Sequence, residues 1–215
     1  MAKTKKPSKS SRMRRDRRRK HRHWQVTIYY RDGEKFARVY IDRDRATRVL
    51  DVGCGSGPLF APLASKGIHV KGIDPADAMV ELARKQAEDF PGLVEVEQGG
   101  WEELEDVDGY DVAVALGVFD YVGQPAELLT RMGRAATHVV GSFPSPGLRL
   151  ELRKARYGLR GVGVHGYRRS DLQRLAREAG LVVAEMFPLD RAGHVAHYAR
   201  SSGGSGDSGG SRAEG

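Results

Sequence analysis

The chain has 215 residues, 40% of them hydrophobic, which suits a single α/β domain and leaves enough apolar material for a core. Its formal net charge is +8, but residues 1–22 alone carry about +11, so the rest of the chain is slightly acidic at about −3. The single cysteine excludes an internal disulfide, and no apolar run approaches the roughly 20 residues that would span a bilayer.

The N-terminal segment, residues 1–22, contains twelve lysines and arginines and a single acid, Asp16. Charge of this density predicts a disordered tail that attracts polyanions. It fits either an arm that contacts nucleic acid or the ribosome, or an extension that only keeps the protein soluble. Because the segment lacks the apolar stretch of a secretory signal, we predict a cytoplasmic protein with no membrane partner. Residues 201–215 are predicted to be a flexible Gly/Ser tail, which leaves 23–200 as the folded domain.

The next segment, residues 23–45, has two interpretations. Its apolar residues fit a β-hairpin that turns at Asp32-Gly33. Three of them, Phe36, Val39 and Tyr40, also fall on one face of a helix. We favour a helix over residues 33–43.

From residue 48 onward, short apolar runs alternate with amphipathic stretches. The predicted strands cover residues 48–52, 68–73, 93–97, 111–116, 137–142, 181–187 and 193–199. The predicted helices cover residues 57–66, 76–88, 125–135 and 170–179. Strands separated by single helices imply right-handed crossovers and a parallel sheet. The last two strands are joined by only residues 188–192, too few for a crossover, so we predict a three-layer α/β/α fold with a terminal antiparallel strand pair.

A glycine loop, within VLDVGCGSGPLF at residues 49–60, follows the first strand of this alternation. Its three glycines at alternate positions allow a tight turn and close approach of the backbone to a ligand; they are Gly53, Gly55 and Gly57. The spacing matches neither a nucleotide P-loop nor the dinucleotide pattern G-x-G-x-x-G. Asp51, two residues before the loop, would repel a pyrophosphate but suits the ammonium of a methionine group. Within the loop, Cys54 is interpreted as a small side chain rather than a nucleophile.

A second acid, Asp74, ends the second strand of the alternation, 17 residues beyond Gly57. A carboxylate at this place can accept hydrogen bonds from both hydroxyls of a ribose. It can also begin the next helix, with Pro75 at the first helical position. Asp51, the glycine loop and Asp74 together indicate one cofactor, S-adenosylmethionine.

Over residues 34–200 the chain resembles the class I S-adenosylmethionine-dependent methyltransferases, which have a Rossmann-like fold. The resemblance implies that Asp51, Gly53 and Gly55 contact the methionine end of the cofactor and that Asp74 binds its ribose. It also implies that Pro75 lies against the adenine and that Leu116-Gly117 line the methyl region.

The chain departs from the family pattern after the third strand. Gly100 stands where an aspartate that binds the adenine amino group is common. Adenine recognition then falls to a backbone group, to Gln98 or to Trp101. The chain also lacks Asn-Pro-Pro-Tyr or Asp-Pro-Pro-Tyr after the fourth strand, which argues against methylation of an exocyclic base nitrogen.

Candidate catalytic residues follow the carboxyl ends of the later strands. If the acceptor is a hydroxyl, a general base can assist, and the candidates are Asp120, Tyr121, His165 and Tyr167. Asp120 can equally be a turn residue, and the two tyrosines can simply pack. No metal-ligand spacing is present, since His194 and His197 fall on opposite faces of a strand.

The acceptor is the least determined part of the prediction. Residues 144–169 resemble a substrate cap, and their stretch 149–169 contains seven basic residues and one acid. These charges could recognise an anionic acceptor, extend the polyanion surface of the tail, or form a solvated helical face. We predict in-line methyl transfer to O, N or C of a small molecule. The alternatives are an RNA or ribosomal-protein methyltransferase recruited by residues 1–22, and a non-catalytic cofactor-binding scaffold.

Overall fold

The computed structural model describes residues 23–29, 35–42, 47–104, 107–159, 161–189 and 193–200. Both predicted tails, residues 1–22 and 201–215, lie outside these ranges, as does the Asp32-Gly33 turn. No helix within the described ranges has the length and apolarity needed to cross a membrane.

The first two strands form a two-stranded sheet of their own. Strand β1 (His23–Tyr29) pairs antiparallel with β2 (Lys35–Asp42), with Trp24 opposite Ile41 and Val26 opposite Val39. The favoured helix over residues 33–43 is therefore wrong, and the hairpin alternative is correct for the described part. Tyrosine and β-branched residues, which favour extended backbone, are dense in this segment and face a matching partner strand.

Seven further strands form the main sheet. They are β3 (Arg48–Val52), β4 (His69–Asp74), β5 (Val94–Gln98), β6 (Tyr110–Ala115), β7 (Ala136–Pro144), β8 (Leu181–Leu189) and β9 (Gly193–Arg200). Their order is β5-β4-β3-β6-β7-β9-β8. The first five run parallel, whereas β9 lies antiparallel to both β7 and β8. The predicted Rossmann-like fold with a terminal antiparallel pair is confirmed.

Five helices lie in the described ranges. They are α1 (Phe60–Ala64), α2 (Asp77–Ala87), α3 (Pro125–Ala135), α4 (Leu148–Gly158) and α5 (Arg169–Glu178). Helix α1 begins later than the predicted residue 57, because Gly57 has φ +83°, which lies outside the right-handed helical region. Helix α4 was not predicted, because leucines on two of its faces hide the usual one-sided pattern.

Apolar side chains bury both faces of the main sheet. Val49 and Leu50, adjacent on β3, belong to different core clusters because successive strand residues face opposite sides. One cluster joins the sheet to α1 and α2 through residues such as Phe60, and the other joins it to α3 and α5 through residues such as Leu128. The parallel strands of this three-layer body all end at one edge, which is where open α/β sheets bind ligands.

Candidate functional site

A cleft of about 610 Å³ opens at the carboxyl edge of β3, β4, β5 and β6. Six of the nine predicted cofactor-binding residues line it: Gly53, Asp74, Pro75, Gly100, Trp101 and Leu116. Of the four predicted catalytic residues, only Tyr121 lines it. The volume lies in the range of small-molecule sites, and residues far apart in the sequence converge on it.

Asp74 joins the glycine loop to the start of the next helix. Its Oδ2 accepts a hydrogen bond from the backbone N–H of Gly55 at 2.9 Å, and its Oδ1 accepts one from the N–H of Ala76 at 2.9 Å. Gly55 therefore supports the cleft through Asp74 without lining it. A carboxylate has lone pairs left after two such bonds, so Asp74 can still accept hydrogen bonds from a ligand in the cleft.

Gly53 brings the loop backbone directly to the cleft wall. Its φ of +68° is a left-handed conformation, and an added Cβ would collide with Cγ2 of Val118, another cleft residue. The N–H groups of Gly53 and Cys54 both donate to the carbonyl oxygen of Ile73, at 2.8 and 3.0 Å. Glycine is therefore required here by conformation and by space.

Asp51 is buried on β3, two residues before Gly53. Its Oδ2 has no hydrogen-bond partner within the described part of the chain. Burial, followed by repulsion from Asp74, raises the pKa of the Asp51 carboxyl to about 8. An unpartnered buried carboxyl oxygen next to a ligand cleft fits a cationic ligand group, such as the methionine ammonium of the expected cofactor, whose charge would lower this pKa and favour the ionised form.

Because of Asp51, the free energy of unfolding of the cofactor-free protein should depend on pH. A folded-state pKa of about 8, against the ordinary value of 3.8, means that the folded chain holds a proton that the unfolded chain releases between these values. The contribution of Asp51 is complete below pH 3.8 and is lost as the pH rises through about 8. We expect Asp51→Asn to flatten this decline in a series of urea unfolding curves without cofactor. Unfolding free energies that run parallel for both proteins across the window would contradict the assignment.

Cys54 lies inside the loop and is buried. Burial first, and then the charges of Asp51 and Asp74, raise the pKa of its thiol to about 12. Such a thiol is protonated at neutral pH and unreactive, which supports a packing role. Its sulfur packs near Gly72, whose missing side chain makes the room for it.

The adenine end of the expected cofactor site contains an acid that the sequence interpretation missed. Gln98, one of the predicted adenine contacts, does not line the cleft but donates a hydrogen bond to Asp77. Glu102 does line the cleft, and its Oε2 reaches the space that a side chain on Gly100 would occupy. The turn Trp101–Glu103 brings Glu102 back toward the position where the family pattern has its acid. In the sequence, Glu102 is an acid two residues after Gly100, the position where the family pattern has its aspartate.

Trp101 is held at the rim of the cleft by Arg131 from α3. The Arg131 guanidinium lies over the Trp101 ring at 5.5 Å from its centre, and its Nη1 donates to the carbonyl oxygen of Glu102 at 2.6 Å. The turn is thereby attached to helix α3.

Tyr121 also lines the cleft and is tied to helix α4. Its phenol oxygen accepts a hydrogen bond from Nη2 of Arg153 at 2.8 Å, and the Nη1 of Arg153 forms an ion pair with Asp120 Oδ2 at 2.8 Å. Partial burial raises the pKa of the Tyr121 phenol, so it keeps its proton at neutral pH. Asp120 is buried and engaged by Arg153, and burial raises its pKa although the ion pair opposes that effect. Sequence reasoning counted Arg153 only among the basic residues of 149–169 and did not predict this contact, because only the folded chain brings α4 to this segment.

The other two predicted catalytic residues do not line the cleft. Tyr167 is buried with its hydroxyl donating to the carbonyl oxygen of Phe119 at 2.9 Å, and burial raises its pKa to about 12. His165 is exposed, and its backbone N–H donates to the carbonyl oxygen of Asp120 at 2.8 Å. The structure therefore places these two residues in the support of the Phe119–Asp120 backbone. Gly57 likewise does not line the cleft, and it lies next to the ring of Phe60.

Comparison with known proteins agrees with this geometry. A family model described as a methyltransferase domain matches residues 13–186. The ubiquinone biosynthesis O-methyltransferases of Alkalilimnicola ehrlichii and Acinetobacter baylyi are 34% and 31% identical over 65% and 70% of this chain. These matches cover 62% and 70% of the two relatives. A third relative with the same name, from Azorhizobium caulinodans, is 38% identical over 41% of the chain and is itself covered for 36% of its length.

Solved structures agree on the fold. Magnesium protoporphyrin IX methyltransferase from Synechocystis PCC 6803, with bound SAH, is 23% identical with a TM-score of 0.59, over 71% of this chain and 74% of that one. An S-adenosylmethionine-dependent methyltransferase from Mesorhizobium loti is 20% identical with a TM-score of 0.61, over 71% and 90% of the two chains.

Proposed function

The chain belongs to the class I S-adenosylmethionine-dependent methyltransferases, and on this premise we propose that it methylates a small-molecule acceptor. The observation that carries the proposal is that Asp74 and Tyr121 line the same cleft. The first suits a ribose, and the second offers a polar group at the place where an acceptor would meet the cofactor.

Different residues around the cleft would hold different parts of the cofactor. Asp51 would hold the ammonium, the backbone at Gly53 would hold the methionine, and Asp74 would accept hydrogen bonds from the ribose hydroxyls. Trp101 would hold the adenine, and Glu102 would accept a hydrogen bond from its amino group. When bound, S-adenosylmethionine supplies a methyl group already activated by a positively charged sulfur.

Tyr121 orients the acceptor by donating a hydrogen bond to it. Its oxygen already accepts from Arg153, and its pKa is raised, so the phenol acts as a donor and not as a base. Asp120 acts through Arg153, which it holds in place by the ion pair. The protein thus contributes mainly orientation, which can supply on the order of 7–11 kcal/mol in such reactions.

The proposed acceptor atom is a hydroxyl oxygen on a largely apolar small molecule. The S–CH3 bond breaks as the O–CH3 bond forms, and the hydroxyl proton passes to water at the mouth of the cleft. The curated relatives are named O-methyltransferases. Beside Tyr121, the cleft walls are apolar and include Leu116, Val118 and Val122. Such walls exclude water and favour an apolar acceptor with a single polar group.

Removing the Tyr121 hydroxyl should slow turnover without weakening the binding of the cofactor. For Tyr121→Phe we expect kcat to fall about tenfold, the size of one lost hydrogen bond to the acceptor, and the Kd of S-adenosylmethionine to stay unchanged. Tyr157→Phe is the matched control, because its ring packs edge-on against Tyr121 at 6.1 Å and the substitution keeps that contact. Equal kcat for wild type and Tyr121→Phe would remove Tyr121 from the mechanism.

A methyl-label transfer screen tests the function as a whole. Purified protein is incubated with labelled S-adenosylmethionine and cell extract separated into small molecules, RNA and protein. We expect label in the small-molecule fraction, and the same labelling by a chain that lacks residues 2–22. Label in RNA or protein that disappears with this deletion would instead show a methyltransferase recruited by its basic tail. Cofactor binding with no label in any fraction would point to a non-catalytic scaffold.

A further inference from the structure

The turn Trp101–Glu103 carries the two groups proposed to hold the adenine, and it is a single turn of 3₁₀ helix. Two backbone hydrogen bonds of 3.2 and 3.3 Å close it. Gly99 and Gly100 come directly before it. One 3₁₀ turn after two glycines has little stiffness of its own. The body of the protein must therefore hold this turn in place if Glu102 is to recognise a ligand atom.

Arg131 on α3 holds the middle of the turn. Its Nη1 donates to the carbonyl oxygen of Glu102 at 2.6 Å, and its guanidinium lies over the ring of Trp101. Its Nη2 forms an ion pair with Oε1 of Glu127 at 2.8 Å, one helical turn earlier on α3. A planar guanidinium has donors on several edges and a face that stacks on aromatic rings, so one side chain can make all three contacts at once. The side chain is 15% exposed, so water competes little for these contacts.

Other contacts hold the two ends of the turn. The N–H of Gly99 donates to the carbonyl oxygen of Asp74 at 3.1 Å, and Leu104 is buried in the core. These contacts fix where the chain enters and leaves the turn, whereas Arg131 fixes its middle. Arg131 itself does not line the cleft. It is therefore placed to act on a ligand through the residues of the turn that do.

We propose that Arg131 is a positioning residue that makes the cleft selective for adenine over other purine bases. This selectivity rests on the proposed function, because adenine is the base of the proposed cofactor. The 6-amino group of adenine can donate to the Glu102 carboxylate, whereas hypoxanthine has an oxygen there whose lone pairs face the same carboxylate. A site built to accept a hydrogen bond rejects an analogue that lacks the donor, but only while the acceptor keeps its position. Stacking on Trp101 does not distinguish the two bases.

Titration calorimetry of the full chain with two ligands tests the proposal. One ligand is S-adenosylhomocysteine, and the other is S-inosylhomocysteine, which differs only in carrying hypoxanthine. Arg131→Met removes the guanidinium and keeps a long unbranched side chain, and Arg131→Lys restores the charge and one donor group. Glu102→Gln removes the charge of the acceptor directly. Arg134→Met is the matched control, because Arg134 is an exposed arginine of the same helix that does not line the cleft. Urea unfolding establishes that each variant is folded.

We expect wild type and Arg134→Met to bind the adenine ligand at least about tenfold more tightly than the hypoxanthine ligand, the size of one hydrogen bond to a charged group. Arg131→Met should bring this ratio close to one by weakening the adenine ligand. The Kd of the hypoxanthine ligand, which depends on stacking against Trp101, should change by no more than about threefold. Arg131→Lys should keep part of the ratio. A general fault of the fold would instead weaken both ligands by one factor and leave the ratio unchanged.

The double variant Arg131→Met with Glu102→Gln locates the effect. Since Arg131 acts through Glu102, the double variant should have the same ratio as Glu102→Gln alone, and a further drop in the ratio overturns this route. If Arg131→Met keeps the wild-type ratio, or weakens both ligands equally, the proposal is overturned. It is also overturned if wild type binds both ligands equally, although cofactor binding then stands. A wild type that binds neither ligand overturns the proposed function itself, and the role of Arg131 with it.

Discussion

Replacing Asp74 by alanine should raise the Kd of S-adenosylmethionine by at least about 100-fold, since two hydrogen bonds to a charged group are lost at about 1.5–3 kcal/mol each. The structure adds a second reason. The Asp74 carboxylate also accepts from the N–H groups of Gly55 and Ala76, so its removal releases the glycine loop from the start of α2. Isothermal titration calorimetry with the purified chain measures the effect.

Two companion variants separate the ligand contact from the loop support. Asp74→Asn keeps one acceptor oxygen for a backbone N–H but loses the charge, and we expect an intermediate loss of affinity. Asp77→Ala removes a nearby exposed acid that accepts from Gln98 and does not line the cleft, and should bind the cofactor as wild type does. Equal affinity of wild type and Asp74→Ala would exclude the ribose assignment and with it the proposed cofactor geometry.

Gly53→Ala should damage both stability and cofactor binding. Alanine at a φ of +68° costs about 1–2 kcal/mol, and the collision of its Cβ with Val118 adds about 1–3 kcal/mol of overpacking. Val118 can relieve that collision only by moving, and it lines the cleft, so we expect at least a tenfold rise in the cofactor Kd. Urea unfolding and calorimetry give the two quantities.

Gly67→Ala is the matched control for the backbone cost. Gly67 has φ +76° and open space around its missing side chain, so the substitution should cost only the conformational part and leave cofactor binding intact. Combining Gly53→Ala with Val118→Ala should recover the stability lost to the collision with Val118, but not the stability lost to the unfavourable backbone conformation. If Gly53→Ala costs no more than Gly67→Ala, the close approach of the loop to Val118 is not important for the fold.

The sheet and the cofactor end of the cleft were readable from the sequence because their signals are local. Most strands of the main sheet are short apolar runs, and the link expected at residues 188–192, which is three residues long between β8 and β9, is too short for a crossover. The glycine loop and Asp74 also stand at fixed distances along the chain. Burial of Asp51 with an unpartnered oxygen agrees with the cationic group that its place before the loop suggested.

The acceptor side could not be read in this way because it depends on contacts between distant segments. Arg153 and Tyr121 form a hydrogen bond although they are 32 residues apart in the sequence, and no local pattern around either residue predicts this contact. Tyr167 had the residue type of a catalytic group, but its burial against Phe119 is decided by the fold. Glu102 reaches the cleft only because a tight turn brings it back toward the glycine. Helix α4 was not predicted because it has leucines on two faces, whereas the helical pattern that we searched for assumes one buried face.

Cys54 gives the native chain a built-in reporter of how often its cofactor loop opens. It is the only thiol in the sequence, it is buried in the loop, and its pKa is raised to about 12. While the thiol is buried it stays protonated at pH 7, so an alkylating reagent, which attacks the thiolate, has almost nothing to react with. Alkylation must therefore wait for the loop to open, and the rate at which the protein gains a single adduct by mass spectrometry measures that opening. A ligand that closes the loop should slow the adduct without any engineered label.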